Sequence, residues 1–393
     1  MAEKIEFPKD FLWGTATSAY QIEGNNKNCD WWEWEQKGGG AEPSGIACNS
    51  YNRYKEDFDL AKNLNQNAQR ISIEWSRIEP EEGKFSDREI KHYANVLKSL
   101  KEKGFKTFVT LHHFTSPIWF SKKGGWLNLN SPKMFSKYVK HCAENLDKLA
   151  DFWITINEPT VYTGHSYIKG IWPPQKRSLI LAAFVYINLA RAHIASYKIL
   201  KKNTTSPVGF AHNVPNVKTQ KPNIFSQIIA IILNFAFTDL FFLLSRLKID
   251  FIGLNYYFEY RISGLKTRFD YSNGKVPYIN WPIAPEGILQ VLSRLKKYKK
   301  PIYITENGTA DSEDYSQKDF IKNHLYYINE AMKKGADVRG YLYWSLIDNY
   351  EWNLGYKPKF GLIAIDRGNS LKRIIRKSGI YYSKICKESG VEI

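Results

Sequence analysis

The chain has 393 residues, 43% of them hydrophobic and 24% charged, and its formal net charge is +17 at pH 7. This composition excludes a disordered or collagen-like chain, and the length suits either two domains or one large barrel. The positive charge would suit nucleic acid or an anionic membrane. However, no zinc-finger, RNP or helix-turn-helix pattern accompanies the basic patches at 296–300 and 371–377, so we expect no nucleic-acid partner.

The cysteine content excludes a disulfide scaffold or a cysteine-based metal site. The four cysteines form no Cys-x-x-Cys pair and have no accompanying histidine at metal spacing: Cys29, Cys48, Cys142 and Cys386. We interpret them as free thiols in a reducing compartment and predict no metal. The segment Met1 to Phe11 lacks the apolar core of a signal peptide, so we expect a cytoplasmic protein.

Eight apolar runs of strand length follow one another along the chain. They cover 11–17, 68–73, 106–113, 151–157, 207–213, 250–257, 301–307 and 340–346. None shows the polar alternation of a half-exposed sheet. Strands that are apolar on both faces predict a buried parallel sheet.

Helical patterns lie between these runs. The candidate helix starts are the pairs Ser86 and Glu89, Ser131 and Pro132, and Ser316 and Asp319. A stripe of apolar residues at helical spacing runs from Met134 to Leu149. Because no linker or low-complexity segment interrupts the alternation, it favours one (β/α)8 barrel, with residues 1–393 as a single domain, over a doubly wound sheet with a second domain.

Two glutamates stand where apolar strands end. The run 151–157 is followed by Glu158 and Pro159, and Pro159 cannot extend a strand ladder because it lacks an N–H. The run 301–307 carries Glu306 just before an Asn-Gly turn signal. In a (β/α)8 barrel both carboxylates would lie in the same mouth, where such barrels carry their chemistry. The alternative is that each is an ordinary loop charge.

The motifs around these glutamates resemble those of glycoside hydrolase family 1, the retaining β-glycosidases. The resemblance covers nearly the whole chain and is carried, in family order, by FLWGTATSAYQIEG (11–24), DWWEWE (30–35), QRISIEWSRIEP (69–80), LHHF (111–114), TINEP (155–159), GLNYY (253–257), ITENG (304–308) and WSLIDNYEWNLGY (344–356). It implies a (β/α)8 barrel that needs no metal or organic cofactor.

The resemblance implies that Glu306 is the nucleophile and Glu158 the acid/base. Two carboxylates roughly 5 Å apart suit double displacement through a covalent glycosyl-enzyme. Arg70 lies inside an apolar strand and needs a buried carboxylate partner, which in the family is the nucleophile. A structural salt bridge is the alternative. By resemblance, Tyr257 and Asn255 also support the nucleophile.

The sugar-binding residues are implied in the same way. The positions that match contacts to the sugar hydroxyls are Gln21, His113, Asn157, Glu351 and Trp352, and Trp344 matches an apolar floor. Without the resemblance, His113 could be a satisfied core histidine, Trp344 plain packing and Glu351 a loop charge. Because a carboxylate at Glu351 would repel phosphate, an unphosphorylated sugar is favoured.

The resemblance therefore implies hydrolysis of terminal nonreducing β-D-glucosyl, β-D-galactosyl or β-D-fucosyl residues, with a β-glycoside or oligosaccharide as substrate. A 6-phospho-β-glycosidase is the nearest alternative, and a catalytically weak sugar-binding barrel is the alternative from another class. Transglycosylation would use the same residues.

The segment 222–247 departs from the family pattern, because it replaces a longer loop-and-helix region between strands 5 and 6. It is nearly apolar enough to span a bilayer, but Gln227, Asn234 and Asp239 interrupt it. We therefore favour a barrel helix over a membrane span. Residues 224–247 could leave an apolar face bare, which would suit a partner subunit and an oligomer or, less favoured, a membrane surface.

Overall fold

The structure is a computed structural model that describes residues 4–220, 223–263, 266–269, 271, 274–276, 278–311 and 316–393. Its centre consists of eight barrel strands: β1 (Leu12–Ala16), β2 (Ala68–Ser72), β3 (Lys106–Thr110), β4 (Phe152–Asn157), β5 (Val208–Asn213), β6 (Ile252–Asn255), β7 (Ile302–Asn307) and β8 (Val338–Trp344). Neighbouring strands pair in parallel in chain order, and β8 pairs with β1 to close the barrel.

Helices surround the barrel strands. They are α1 (Ala19–Glu23), α2 (Asp30–Gln36), α3 (Ser50–Asn63), α4 (Trp75–Ile78), α5 (Asp87–Glu102), α6 (Ile118–Lys122), α7 (Ser131–Leu146), α8 (Pro159–Thr163), α9 (Leu179–Asn203), α10 (Ile224–Asn234), α11 (Leu240–Leu244), α12 (Glu286–Leu295), α13 (Gln317–Lys333) and α14 (Lys377–Glu388). The π-helical segments are Gly164–Ile168 and Phe235–Asp239, and the 3-10 turns are Gly125–Leu127, Asp147–Leu149, Lys296–Tyr298 and Trp352–Leu354.

Short strands lie outside the barrel. Lys4–Glu6 pairs with Gly390–Glu392, and Ile363–Asp366 pairs with Lys372–Ile375. A small sheet beside the barrel mouth contains Asn216–Thr219, Glu259–Ser263 and Lys266–Arg268.

All eight predicted strands form, and the predicted (β/α)8 barrel is confirmed. The strands are apolar on both faces because the barrel interior is packed while the outer face contacts the helices. Rings of Phe108, Phe152, Phe251 and Tyr303 fill the interior, with centroids 4.2 to 6.2 Å apart. They occupy the amino-terminal half of the barrel and leave the carboxyl ends of the strands to polar residues.

The predicted helix starts are only partly confirmed. Ser86 accepts a hydrogen bond from the Glu89 N–H, but the Glu89 carboxylate accepts from Tyr51 and Arg88, so the reciprocal half of the capping box is wrong. The residue preceding α7 is Asn130 instead of Ser131, whose hydroxyl is buried.

The third start is placed correctly, but its predicted capping box is wrong. Ser316 directly precedes α13, but its hydroxyl donates to Asp311 and does not cap the helix. A nearby carboxylate is a stronger partner for this hydroxyl than a backbone amide.

The segment 222–247 forms a barrel helix in the described residues from 223 onward, as predicted. Helices α10 and α11 continue one another through the π segment. Ile224, Ile231 and Leu243 are 79%, 68% and 63% exposed, so this helical segment leaves large apolar side chains in contact with solvent. By length and composition alone, two of the described helices, Leu179–Asn203 and Ile224–Leu244, are long and apolar enough to cross a membrane.

Candidate active site

Glu306 is fixed by two strong donors at the carboxyl end of β7. The Arg70 Nη1 group donates to its Oε1 atom at 2.6 Å, and the Tyr257 hydroxyl donates to its Oε2 atom at 2.7 Å. Both Glu306 and Arg70 are buried. Burial raises the pKa of Glu306, and the Arg70 guanidinium and the Tyr257 hydroxyl oppose that rise. These two contacts aim a charge-stabilised carboxylate into the barrel mouth.

Arg70, on β2, donates hydrogen bonds to side chains on three other barrel strands. Besides Glu306, it donates to the Asn157 side-chain oxygen at 2.7 Å and to the Thr110 hydroxyl at 3.1 Å. A buried guanidinium needs this many acceptors, because an unpaired charge in the barrel would be costly. The predicted pairing of Arg70 with the Glu306 carboxylate is therefore present, within a larger network.

Glu158 directly follows β4, in a different electrostatic environment. Its Oε1 atom accepts from Asn255 at 2.7 Å and from Asn213 at 3.3 Å, and both donors are neutral amides. Burial, together with the charge of Glu306, raises the pKa of Glu158 to about 8. At pH 7 Glu158 therefore holds a proton, whereas Glu306 faces the cation that favours its ionised form. Different environments for two neighbouring carboxyls are what an acid and a nucleophile require.

The strand register places these groups side by side. Asn213 lies opposite Asn255 in the pairing of β5 with β6, and Asn255 lies opposite Glu306 in the pairing of β6 with β7. The Asn255 amide also donates to Asn157 at 3.2 Å and accepts from the Thr305 hydroxyl at 2.7 Å. Strand geometry therefore holds both carboxyls in one rigid network.

The predicted sugar contacts lie next to this network. Gln21 donates to the Glu351 carboxyl at 3.3 Å and to the Tyr350 carbonyl at 2.9 Å. His113 lies within hydrogen-bonding distance of the Asn157 amide, at 3.2 Å. The His113 ring is nearly parallel to those of Trp344 and Trp352, with centroids 6.0 Å away in each case. The structure thus brings all eleven predicted residues together.

The Gln21 side-chain oxygen and His113 Nδ1 are among the buried polar atoms that have no protein partner in the described residues. Burial and the charge of Arg70 lower the pKa of His113 well below its ordinary value, so its ring is neutral at pH 7. Buried polar atoms without partners are uncommon in folded proteins. Ligand hydroxyls would satisfy both atoms.

From the sequence, Glu351 is expected to be a charged carboxylate that repels phosphate, and the structure does not support this expectation. Burial, together with Glu306, raises the pKa of Glu351 to about 8. At pH 7 it therefore holds a proton and would not repel a phosphate as a fixed negative charge. The only Lys or Arg among the described residues that line the cavity is Lys169, so a phosphate would find little compensation there.

A cavity of about 240 Å³ contains the two candidate catalytic carboxyls. Its other wall is aromatic and apolar, formed by Phe114, Val161, Trp172, Phe258, Tyr260, Phe269, Ile279, Trp281 and Phe360. The ring of Tyr260 stacks on Phe269 with centroids 5.1 Å apart, and Phe258 and Trp281 are also 5.1 Å apart. Sequence reasoning missed this wall, because most of it comes from short elements and loops that show no periodicity.

Three residues that line this cavity have an unusual backbone conformation. Glu158, Phe114 and Trp352 all have positive φ angles, of 43°, 73° and 51° respectively, and all three line it. Residues other than glycine rarely adopt positive φ angles. When they do, they are often at functional sites. Gly308 allows a further close approach, since a Cβ there would lie 1.8 Å from the Trp344 carbonyl oxygen.

Sequence reasoning also missed Asn213, the second donor to Glu158. Its signal was available, because Asn213 ends the apolar run of β5 just as Asn157 ends that of β4. Within the part of the chain that the structure describes, no group of three or more His, Cys, Asp or Glu side chains could hold a metal ion.

Comparison with known proteins agrees with this geometry. The sequence model of Glycosyl hydrolase family 1 matches residues 3–248 and 222–391. The chain belongs to glycosyl hydrolase family 1. The two family matches overlap across α10 and α11, in the segment that departs from the family pattern.

Relatives within glycosyl hydrolase family 1 cover the chain almost completely. β-Glucosidase A of Thermotoga maritima is 32% identical over 98% of this chain and 99% of its own length. A β-glycosidase structure from Pyrococcus horikoshii has a TM-score of 0.93 at 38% identity, covering 100% of this chain and 97% of that one. A β-glucosidase structure from Thermotoga maritima in complex with glucoimidazole has a TM-score of 0.92 at 30% identity, covering 98% and 100%. The chain is a glycoside hydrolase of this β-glycosidase family.

Proposed function

We propose that this glycosyl hydrolase family 1 enzyme removes terminal β-D-glucosyl or β-D-galactosyl residues by double displacement, with Glu306 as nucleophile and Glu158 as acid and then base. Glu306 attacks the anomeric carbon while Glu158 protonates the leaving oxygen. Once Glu306 is esterified to the sugar, its charge no longer raises the pKa of Glu158. Glu158 can then accept a proton from the attacking water.

The observation that carries this proposal is the contrast between the two carboxyls. Arg70 and Tyr257 donate to Glu306, whereas the donors to Glu158 within the described part of the chain are the neutral amides of Asn255 and Asn213, and its pKa is about 8. Of the two, Glu306 is the one equipped to react as an anion and Glu158 the one equipped to deliver a proton.

We propose an unphosphorylated sugar as the preferred substrate. The two buried polar atoms on Gln21 and His113 offer an acceptor and a ring nitrogen to sugar hydroxyls. Next to Glu351, a dianionic phosphate would have to be buried with no described Lys or Arg other than Lys169 in the lining. An uncompensated buried charge of that kind costs several kcal/mol, on the order of 3–5.

The first experiment measures hydrolysis of p-nitrophenyl β-glucoside, β-galactoside and β-glucoside 6-phosphate by the wild type and by Glu306→Gln. We expect turnover of a plain β-glycoside and a loss of roughly 10⁴-fold or more in the variant. Glu330→Gln, a half-buried carboxylate on α13 that pairs with Lys333 outside the cavity, is the matched control and should retain full activity. Circular dichroism checks that each variant is folded.

The acid/base role is tested with Glu158→Ala and two leaving groups. A dinitrophenolate departs without protonation, so formation of the glycosyl-enzyme from a dinitrophenyl glycoside should survive while that from an alkyl glycoside is lost. Activity confined to the 6-phosphate would favour the 6-phospho-β-glycosidase alternative. Tight sugar binding without turnover of any substrate would favour the sugar-binding barrel.

A further inference from the structure

Helix α9 and the continuous pair α10 and α11, which packs against α9 through α11, carry large apolar side chains on their solvent side. On α9 these are Leu179, Ile180, Phe184 and Ile187, and on α10 and the first residue of the π segment they are Ile224, Phe225, Ile228, Ile231, Ile232 and Phe235. Each of these ten side chains is 44% to 79% exposed. We call them the apolar face.

The apolar face is the outer side of helices that are already packed on their inner side. Phe241 and Phe242 of α11 are fully buried, and the Phe241 ring lies 5.2 Å from that of Tyr186 on α9. The helices are therefore attached to the barrel and to each other, and the barrel does not need the exposed stripe for its own stability. Such a helix could lie on a membrane, but it could not span one without losing this packing.

Another surface helix of the same barrel shows the ordinary arrangement. The exposed positions of α5 are all polar: Asp87, Arg88, Lys91, Asn95, Lys98 and Glu102. The exposed stripes on α9 and α10, with ten large apolar side chains in all, depart from this rule and mark an interaction surface.

The charge around the apolar face indicates its partner. From Pro159 to Thr238 the sequence contains no Asp or Glu but nine Lys or Arg residues, including Lys176, Arg177 and Arg191. The carboxylates that border these helices are neutralised, because Asp239, Asp250 and Glu259 pair with Lys297, Lys201 and Lys218 at 2.7, 3.0 and 2.7 Å. Lys201 and Lys218 are two of the nine, so seven basic residues remain beyond these pairs, and the segment that carries the face is basic.

We propose that the apolar face docks this enzyme onto the surface of an anionic lipid bilayer. Apolar side chains would insert at the level of the acyl boundary, and the surrounding lysines and arginines would contact lipid phosphates. A second copy of the chain is a poorer fit, because two basic surfaces would repel each other. The inference is independent of the proposed reaction.

One ring contact links the segment that carries the apolar face to the cavity. Phe237, in the π segment, contacts Tyr260 with ring centroids 6.0 Å apart, and Tyr260 lines the aromatic wall. The helical segment that carries part of the apolar face therefore contacts the aromatic wall of the cavity.

The experiment is flotation of the full chain with vesicles of pure phosphatidylcholine and with vesicles containing about one third phosphatidylglycerol. We expect binding to the anionic vesicles that weakens as salt is raised, and little binding to the neutral ones. In the triple variant Ile228→Gln, Ile231→Gln, Ile232→Gln, we expect binding to the anionic vesicles to fall at least about tenfold. Glycosidase activity on a soluble substrate should be unchanged, which shows that the variant is folded.

The matched control replaces three exposed apolar side chains from elsewhere on the surface: Ile46→Gln, Ile374→Gln, Ile380→Gln. This control should bind anionic vesicles like the wild type. Equal weakening in both triple variants, or no vesicle binding by the wild type, would overturn the proposal. A wild-type dimer in light scattering that dissociates in the Ile228 triple variant, without vesicle binding, would instead assign the face to a second copy.

Discussion

The two ends of the cavity are built in different ways. At the polar end, Arg70, Asn157, Asn255 and Glu306 lie on barrel strands, and each is fixed by hydrogen bonds to its neighbours. At the aromatic end, Phe258, Tyr260, Phe269 and Trp281 come from the small outer sheet and its loops, and they contact one another through ring faces and edges. The proposed chemistry thus has a rigid support, while the leaving-group side depends on packing that loop changes can alter.

Removing Arg70 should have the largest effect on the polar end. Arg70→Met leaves the Glu306 carboxylate buried without its cation, so the pKa of Glu306 rises and less of the nucleophile is ionised at pH 7. We expect kcat/KM to fall roughly a hundred- to several-thousand-fold, which corresponds to the ~3–5 kcal/mol cost of breaking a buried pair. Steady-state kinetics on p-nitrophenyl β-glucoside from pH 5 to 9 would measure this change.

Arg373→Met is the control for the Arg70 variant, because Arg373 pairs with the buried Asp57 at 2.8 Å outside the cavity. Both variants should lose stability in urea, by about 3–5 kcal/mol. Only Arg70→Met should lose activity per folded molecule. If both variants lost activity equally, the pair of Arg70 and Glu306 would be a structural salt bridge, which is the alternative that the sequence left open.

The pH dependence of kcat/KM should report the proton on Glu158. The pKa of this group is raised to about 8, so the protonated, active form predominates below that pH. We expect kcat/KM to fall about tenfold per pH unit above it. Because the pKa of Glu351 is also about 8, the same profile is measured for Glu351→Gln, and the fall should persist there. A profile that stayed flat to pH 9.5 would exclude Glu158 as the acid.

Replacing Asn213 should have a smaller effect, which acts through the pKa of Glu158. Its amide donates to the Glu158 carboxyl and lowers the pKa of that group. In Asn213→Ala the fall in kcat/KM should therefore move to higher pH, and kcat/KM at pH 6 should drop about threefold to tenfold, as for the loss of one hydrogen bond. Asn329→Ala, far from the cavity, is the control, and a shift toward lower pH would contradict the assignment.

The sequence predicted the polar end better than the aromatic end for physical reasons. A carboxylate or an arginine in an apolar strand conflicts with burial, and this conflict drew attention to Arg70 and Glu306, whereas their roles were implied by the family resemblance. The aromatic wall conflicts with nothing locally, since Phe258 or Trp281 is equally compatible with ordinary packing. The bare stripe on α10 was predicted from its composition. The stripe on α9 was not, because a long apolar helix is usually buried and its outward side depends on tertiary packing.

Truncating the aromatic wall should have the smallest effect, confined to the leaving group. Tyr260→Ala removes a ring stacked between Phe237 and Phe269, so an aryl or long alkyl leaving group loses apolar contact while the sugar end keeps all of its hydrogen bonds. We expect KM for octyl β-glucoside to rise about threefold to tenfold, with little change for methyl β-glucoside. Tyr260→Phe keeps the ring and should behave like the wild type. Equal losses on the methyl and octyl substrates would mean that the wall supports the proposed catalytic network itself, and the two ends of the cavity would then form one energetic unit.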